Sequence, residues 1–255
     1  MISKALLKQI SSYKQKKYRD KDRVFVVEGE KMTKEAIKSS FEILCICATK
    51  QWLVENKDLT KGIQCHEVSQ SELEKISNLT TPDKVLTLLK QQTHPMPKDV
   101  AKELTLVLDR IKNPGNLGTI IRLALWFGVK NIICSNQTVD HYNPKVIQAS
   151  MGAIFYTNLY YCNIEEFLNG LPQKIDIYAT VVREGKNIYE EKLNPNGIIV
   201  IGNESCGVSE EILQKVNHKI TIPSFDNKNK AESLNVSMAT TIILSEFRRE
   251  MKKNI

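Results

Sequence analysis

The order of hydrophobic and polar positions divides the chain into two parts, and the first part alternates between helical and strand-like periodicity. Apolar residues recur every three to four positions in the helical segments, whereas short β-branched and apolar runs are typical of strands. The predicted helices cover residues 2–17, 30–39 and 70–78, and the predicted strands cover residues 24–28, 42–48 and 84–89. This pattern predicts a small α/β unit.

From residue 104 onward the apolar runs are shorter and richer in β-branched residues, and helical segments separate most of them. The predicted strands cover residues 104–108, 131–134, 155–161, 175–182, 198–201 and 220–222. Strands that are apolar on both faces and alternate with helices favour a mainly parallel sheet in an α/β fold. Because ligands bind at the carboxyl ends of such strands, the loops that follow them are the candidate functional segments.

Residues 91–98 separate the two parts. They contain Pro95 and Pro97 among polar neighbours and show no periodicity, which is typical of an extended linker. The length of 255 residues allows one large domain or two small ones. We therefore expect two domains, residues 1–97 and residues 98–255.

The positive charge of the chain is concentrated at one end. Residues 1–23 hold eight Lys or Arg against two Asp, and so carry +6 of the formal net charge of +7, while the remaining residues are nearly neutral. A basic segment on a neutral body suggests a polyanion such as RNA or DNA as partner. The alternative is a solvated helix face, because Ile2, Leu6, Ile10 and Tyr13 recur at helical spacing and would pack inward. Both interpretations can hold together.

Neither a membrane nor a metal is expected as a partner. No run of apolar residues approaches the roughly 18–20 that span a bilayer, and the N-terminus lacks the apolar core of a signal peptide. The six cysteines include no CxxC pair and no Cys/His cluster at zinc spacing. We expect a cytoplasmic protein with reduced thiols and no metal site.

The first unusual loop follows the strand at residues 104–108. Asn116 is a plausible N-cap for a helix over residues 117–127, which is apolar nearly all round apart from Arg122. A buried guanidinium without a partner would cost several kcal/mol. Arg122 is therefore expected to point into a polar site and meet an anion, with a structural ion pair as the alternative.

The second loop, residues 202–207, follows the fully apolar run at residues 198–201. Gly202 and Gly207 permit close approach of a ligand to the main chain, and Glu204 lies between them. The loop lacks the Lys-Ser/Thr pair of a phosphate-binding P-loop, and no G-x-G-x-x-G fingerprint of dinucleotide enzymes occurs in the chain. A carboxylate at a strand end is well placed to hold a cation, an amine or a ribose hydroxyl.

The third loop leads from the strand at residues 220–222 through a polar stretch into a long amphipathic helix that ends near residue 249. Ser233 is expected to be the N-cap of this helix, which leaves Asn235 unexplained. Small polar residues therefore interrupt a helix start that is otherwise apolar.

These three loops together resemble, in order, the three sequence motifs of the SpoU (TrmH-like) RNA ribose methyltransferases of the SPOUT superfamily. The matching stretches are residues 113–118 with Arg122, residues 201–207, and residues 222–223 with 233–237. Residues 25–30 and 79–82 are similar, less sharply, to the substrate-binding domain that precedes the catalytic domain in many members, which has a ribosomal-protein-like α/β fold.

The resemblance implies a SPOUT-type catalytic domain with a C-terminal trefoil knot, a homodimer, and S-adenosylmethionine as the methyl donor. By position, the residues at the cofactor would be Gly202, Asn203, Glu204, Gly207, Ile222, Pro223 and Leu234. The residues at the reaction site would be Asn113, Arg122, Glu204, Ser233 and Asn235. The candidate RNA-binding residues in the basic segment are Lys4, Lys14, Lys16, Lys17, Arg19 and Arg23.

The implied function is methyl transfer to a ribose 2′-hydroxyl of structured RNA, with ribosomal RNA favoured over transfer RNA. Arg122 would stabilise a developing alkoxide, hold the adjacent phosphate or accept the hydroxyl proton. The alternatives are a transfer-RNA ribose methyltransferase, a base methyltransferase, and a non-catalytic RNA-binding or ribosome assembly protein of the same fold.

Overall fold

The computed structural model describes residues 2–97, 100, 102–172, 174–226 and 232–249. The helices are α1 (Lys4–Ser12), α2 (Lys16–Asp22), α3 (Glu30–Lys38), α4 (Lys50–Glu55), α5 (Gln70–Ile76), α6 (Pro114–Trp126), α7 (Pro144–Ser150), α8 (Ile164–Asn169), α9 (Glu210–Leu213) and α10 (Val236–Arg248). The strands are β1 (Val24–Glu28), β2 (Ile43–Ala48), β3 (Cys65–Glu67), β4 (Val85–Lys90), β5 (Thr105–Leu108), β6 (Asn131–Ser135), β7 (Asn158–Cys162), β8 (Ile177–Thr180), β9 (Lys186–Asn187), β10 (Ile198–Ile201) and β11 (His218–Thr221).

The chain forms two compact units, and one of them is discontinuous in sequence. The first unit comprises the residues up to 93 together with residues 140–156, and the second comprises residues 94–139 and those from 157 onward. The single boundary expected near residue 98 therefore does not describe the division completely. Residues 140–156, a segment of 17 residues that we call the excursion, pack in the first unit although they come from the second half of the sequence. Lys98 itself lies outside the described residues.

The first unit contains a four-stranded sheet of order β1-β4-β2-β3. The strand β4 runs antiparallel to β1 and to β2, and β3 runs parallel to β2. The three predicted strands are confirmed to within one residue at each end. The elements α4 and β3 were not predicted, since six and three residues are too short to show a clear periodicity.

The predicted helix over residues 2–17 is two helices, because the chain turns between α1 and α2. The Tyr13 N–H donates back to the Ile10 carbonyl at 3.1 Å, which ends α1. The carbonyls of Tyr13 and Lys14 then accept hydrogen bonds from Arg19 Nη1, at 2.9 and 3.2 Å. The guanidinium thus takes the place of the helical N–H groups that would otherwise have bonded these carbonyls.

Arg19 is a structural residue of the first unit. Its side chain is only 3% exposed, and its Nη2 lies 2.7 Å from Asp140 Oδ2 in the excursion. The interpretation of Arg19 as an RNA-binding residue is wrong, since this guanidinium is buried, with Nη1 bound to two carbonyls and Nη2 to a carboxylate. Removal of one partner from such a buried pair typically destabilises a protein by about 3–5 kcal/mol.

Aromatic contacts hold the excursion in the first unit. The Tyr142 ring lies 4.4 Å from the ring of Phe25, and the Phe155 ring meets Phe41 edge-on at 5.5 Å. Phe155, expected to begin a strand, is instead the last residue of a short 3-10 helix over residues 153–155. The apolar run at residues 155–161 is therefore divided between the two units: Phe155 and Tyr156 belong to the first unit, and β7 belongs to the second.

The second unit contains a seven-stranded sheet of order β7-β6-β5-β10-β8-β11-β9, in which every neighbouring pair is parallel. This confirms the mainly parallel sheet. The strands β5 and β10 lie side by side near its centre, and their eight residues are all buried. The short edge strand β9 was not predicted.

The helices α6 and α10 pack in parallel on one another in the second unit. Arg248 Nε donates to the Phe127 carbonyl at 3.0 Å at one end of the pair, and Asn235 contacts Asn116 at the other. The expectation of a helix buried nearly all round is wrong for α6, because Arg122, Leu125 and Trp126 are exposed on its outer side.

Two expectations stay predictions. The segment that would pass over the cofactor in a trefoil knot includes residues 227–231, which lie outside the described residues. Within the part of the chain that the structure describes, no helix has the length and hydropathy of a membrane span. The cytoplasmic location and the knot are not tested by these observations.

Candidate active site

The loops that follow β5 and β10 meet at the carboxyl edge of the sheet. Leu108 and Ile201, the last residues of these parallel strands, are partners in the ladder. The loops at residues 109–113 and 202–207 therefore begin side by side, although about 90 residues separate them in sequence. The sheet thus brings together the first two of the three sequence motifs.

The loop at residues 202–207 is a tight turn held by its own main chain. The N–H groups of Asn203 and Gly207 donate to each other's carbonyls at 3.0 and 2.9 Å, and Asn203 Oδ1 accepts from the Ser205 N–H at 2.9 Å. A Cβ on Gly202 would lie 2.2 Å from the Gly207 carbonyl carbon, so only glycine fits there. Gly207 has a φ of 68° and open space on the side where a side chain would project.

Asn113, rather than Asn116, is the N-cap of α6. Its Oδ1 accepts from the N–H groups of Gly115 and Asn116 at 2.8 and 3.2 Å, and Pro114 occupies the first helical position. The prediction of Asn116 as the cap is wrong, and the preference of proline for the first helical position was the signal that pointed to Asn113. The implied direct role of Asn113 in the reaction stays a prediction.

Asn116 instead joins the three motifs through its carboxamide. Its Nδ2 donates to Glu204 Oε1 at 2.9 Å, and its Oδ1 accepts from Asn235 Nδ2 at 3.1 Å. The other carboxylate oxygen, Glu204 Oε2, accepts from Asn203 Nδ2 at 3.3 Å. Sequence reasoning missed this role of Asn116, because its position near the helix start was explained by capping.

Asn235 is the N-cap of α10, so the prediction of Ser233 for this position is wrong. Asn235 Oδ1 accepts from the N–H groups of Ser237 and Met238 at 3.0 and 3.4 Å and from Ser237 Oγ at 2.6 Å. With its oxygen committed to the helix, its Nδ2 is directed to Asn116. Ser233 is exposed two residues before the cap, and its place at the reaction site stays a prediction.

Arg122 is exposed, and no hydrogen-bond partner for it is found among the described residues of this chain. The expectation that this guanidinium is buried is therefore wrong, and the alternative of a structural ion pair finds no partner among the described residues, whereas a polar site in which Arg122 meets an anion stays a prediction. The physical reason is that the outer side of α6 is uncovered, so the charge stays in water at little cost. Arg122 follows Asn116 by six residues on α6.

The roles of the remaining candidates stay predictions, and the structure shows only where these residues lie. Ile222 and Pro223 are half-buried directly after β11, and Leu234 is 51% exposed before α10. In the first unit, Lys4, Lys14, Lys16, Lys17 and Arg23 are exposed on or beside α1 and α2. Among these cations, Lys16 pairs with Asp20 one turn along α2.

The parallel α/β sheet and the hydrogen-bonded loops at its edge are those of an RNA methyltransferase, and comparison with known proteins shows the family. The model of the SpoU rRNA methylase family matches residues 103–245, and the model of the MRM3-like substrate binding domain matches residues 4–87. The chain belongs to the SpoU rRNA methylase family.

Individual relatives match over nearly the whole chain. It is 28% identical to the 23S rRNA (guanosine(2553)-2′-O)-methyltransferase RlmP of Bacillus subtilis, over 91% of this chain and 92% of that protein. It is 24% identical to human mitochondrial rRNA methyltransferase 3, over 94% of this chain and 70% of that protein. The AdoMet-bound structure of an rRNA methyltransferase from Sinorhizobium meliloti superposes with a TM-score of 0.86 at 27% identity, over 99% and 97% of the two chains.

Replacement of Asn116 by Ala is expected to lower kcat by about 10- to 100-fold, because Glu204 and Asn235 lose the group that fixes their relative position. The measurement is methyl transfer under saturating substrate, beside the melting temperature. Asn143→Ala is the matched control, since it removes the N-cap of α7 in the first unit and should cost about 1 kcal/mol of stability without loss of activity. Wild-type kcat in Asn116→Ala would contradict the positioning role.

Proposed function

We propose that the protein transfers a methyl group from S-adenosylmethionine to a ribose 2′-hydroxyl of ribosomal RNA. The observation that carries the proposal is the bridge from Glu204 through Asn116 to Asn235, which unites three separate motifs at the carboxyl edge of one parallel sheet. The names of the relatives support ribosomal RNA as substrate and the 2′-oxygen as acceptor.

The chain offers a site that fits S-adenosylmethionine, which supplies an electrophilic methyl group when bound. The open side of Gly207 leaves main-chain groups of the loop at residues 202–207 accessible to a ligand. Ile222 and Leu234, in the two stretches of the third motif, retain exposed apolar surface, which suits a flat purine ring. Asn203 is occupied within the loop, so it shapes the turn and leaves ligand contacts to the backbone.

The residues at the edge of the sheet are suited to orientation of the sugar. Both oxygens of Glu204 already accept amide hydrogen bonds, one from Asn116 and one from Asn203. A carboxylate held in this way is a fixed acceptor for a ribose hydroxyl rather than a freely moving base. Holding the 2′-oxygen in line with the methyl group supplies much of the rate enhancement in such a displacement.

Arg122 is proposed to stabilise the negative charge that develops on the 2′-oxygen or on the adjacent phosphate. A guanidinium carries donors only and does not readily give up a proton, which favours this role over proton acceptance. Its exposure in the single chain leaves it free to meet a ligand or a second protein copy.

The function is tested by incubating the protein with tritiated S-adenosylmethionine and, in separate reactions, protein-free ribosomal RNA or transfer RNA from a strain that lacks the gene. We expect label in a 2′-O-methylnucleoside after digestion, and Arg122→Ala should abolish transfer while S-adenosylmethionine still binds. Label on a base, label in transfer RNA alone, or binding of RNA without transfer would each contradict the proposal. Full turnover by Arg122→Ala would contradict the role of that residue.

We further propose that the exposed cations of α1 and α2 bind RNA phosphates. Deletion of residues 1–23 would not test this cleanly, because Ile10, Tyr13 and Arg19 are buried in the first unit and the deletion would unfold it. Point substitutions of exposed lysines keep these core residues and remove only the charge.

The triple variant Lys14→Gln, Lys16→Gln, Lys17→Gln should weaken RNA binding and make its dependence on salt shallower, by about 0.9 in log–log slope for each phosphate that is no longer neutralised. Affinity for S-adenosylmethionine should not change. The matched control replaces Lys50, Lys57 and Lys61, which are also exposed in the first unit, and should bind RNA like the wild type. Equal effects of the two triple variants would show general charge attraction and contradict a specific surface.

The outer face of α6 and the start of α10 are proposed to pair with a second copy of the chain. Trp126 is 78% exposed, Met238 61% and Leu125 42%, and all three belong to the packed pair α6 and α10. Exposed large apolar side chains are typical of a protein interface. Arg122 lies on the same helix and would be enclosed at the dimer interface.

Trp126→Glu should therefore convert a dimer into a monomer and abolish methyl transfer, measured by sedimentation velocity and by the tritium assay. A charge placed in a desolvated interface is costly to bury. Val54→Glu is the control, since Val54 is 70% exposed in the first unit and should leave the dimer intact. A wild-type chain that sediments as a monomer at assay concentration would contradict the dimer.

A further inference from the structure

Arg110 has a strained backbone at the carboxyl edge of the sheet. It follows Asp109 directly after β5, and its φ of 58° lies in the left-handed region that residues other than glycine rarely occupy. Strain of this kind persists only where surrounding contacts enforce it, and it is frequent at functional sites. The contacts of Arg110 show what enforces the conformation.

Three hydrogen bonds fix Arg110 from three directions. Its N–H donates to Ser135 Oγ at 2.9 Å, its carbonyl accepts from Asn203 Nδ2 at 2.7 Å, and its Nε donates to Asp109 Oδ1 at 3.1 Å. Ser135 is itself held by Thr138, whose hydroxyl also donates to the Leu108 carbonyl. Residues from three neighbouring segments of the sheet edge thus hold one arginine.

Asp109 binds Nε of the Arg110 guanidinium and does not contact its two terminal nitrogens, Nη1 and Nη2. The Asp109 side chain is 4% exposed, and its second oxygen, Oδ2, accepts from the Ser209 N–H at 2.9 Å. Arg110 is 33% exposed, and among the described residues no acceptor is found for its Nη1 and Nη2. A planar pair of donors with a fixed orientation is therefore open to a ligand.

The position of Arg110 relates it to the proposed reaction site. Asn203 Nδ2, which donates to the Arg110 carbonyl, also donates to Glu204 Oε2, so a single amide separates this backbone from the bridge of Glu204 and Asn116. Beyond residue 23 the chain has 28 Lys or Arg against 27 Asp or Glu. Because this part is almost neutral, an RNA strand at the site requires a local cation to hold its phosphate.

We propose that Arg110 binds a phosphodiester of the RNA strand next to the methylated nucleotide. The inference rests on the proposed function, since it takes RNA as the substrate. The left-handed backbone and Asp109 orient the guanidinium, and its two terminal nitrogens bind the phosphate oxygens. Arg110 is thus a substrate-binding residue, and Asp109, Ser135 and Asn203 are its positioning residues.

Steady-state kinetics of Arg110→Gln test the proposal, with a transcript that carries the methylation site mapped for the wild type. We expect about a 10-fold higher KM for RNA, and a log–log salt dependence of kcat/KM that is shallower by about 0.7–0.9, the range for one phosphate of a single or a double strand. The kcat and the affinity for S-adenosylhomocysteine should stay at wild-type values. Lys130→Gln is the matched control, since it removes an exposed cation before β6, at the opposite edge of the sheet, and should change none of these.

Arg110→Gly separates binding from a structural role. Glycine adopts a φ of 58° without strain, which offsets part of the cost of leaving the buried Asp109 Oδ1 without its Nε donor, so this variant should melt no lower than Arg110→Gln and still show the raised KM. A lower melting temperature with wild-type KM would mean that Arg110 is only structural. A loss of S-adenosylhomocysteine affinity with wild-type KM for RNA would assign the guanidinium to the cofactor carboxylate; either result overturns the proposal. Failure of the wild type to methylate the RNA would instead contradict the proposed function.

Discussion

The parallel pairing of β5 with β10 is the constraint on which the site depends. Their ladder ends at Leu108 opposite Ile201, and the polar groups of the first two motifs follow within a few residues of these ends or on α6, while Asn235 joins them from the start of α10. Both strands are fully buried, so their register is specified by the apolar core rather than by the loops. The rigid sheet thus determines where Asn203 and Glu204 meet the start of α6.

Asparagine side chains connect the loops at these strand ends with the starts of α6 and α10. Asn113 caps α6 and Asn235 caps α10, and in each case the side-chain oxygen accepts main-chain N–H groups. Asn116 and Asn235 then use their remaining donors and acceptors to connect the two helix starts with Glu204. A carboxamide can serve both purposes because it carries a donor and an acceptor on one planar group.

The sequence predicts most of the fold because buried strands carry a strong local signal. The runs at residues 24–28 and 198–201 are found as β1 and β10 without a shift. The excursion at residues 140–156 could not be predicted, since its place depends on Arg19 and on aromatic contacts more than 100 residues away. The capping error at Asn116 was avoidable, because Pro114 marks the first turn of the helix. The hydrophobic pattern of a sequence shows which residues are apolar. It does not show which side of a helix the rest of the chain leaves uncovered.

The outer face of α6 is such an uncovered side. It also bears on how catalysis and affinity for RNA are divided between the parts of the chain. Arg122 lies among apolar residues in sequence, yet burial of a guanidinium needs a partner, and the described residues of one chain do not provide it. If a second copy covers Trp126 and Met238, Arg122 is desolvated only in the assembled state, where its charge acts more strongly on a reacting oxygen. Assembly would then govern catalysis, while the basic helices of the first unit govern affinity for RNA. The near-neutral charge of the second unit is consistent with this separation. A catalytic edge with a few oriented cations can select one arrangement of phosphates, whereas a broadly basic surface would bind phosphates in any arrangement.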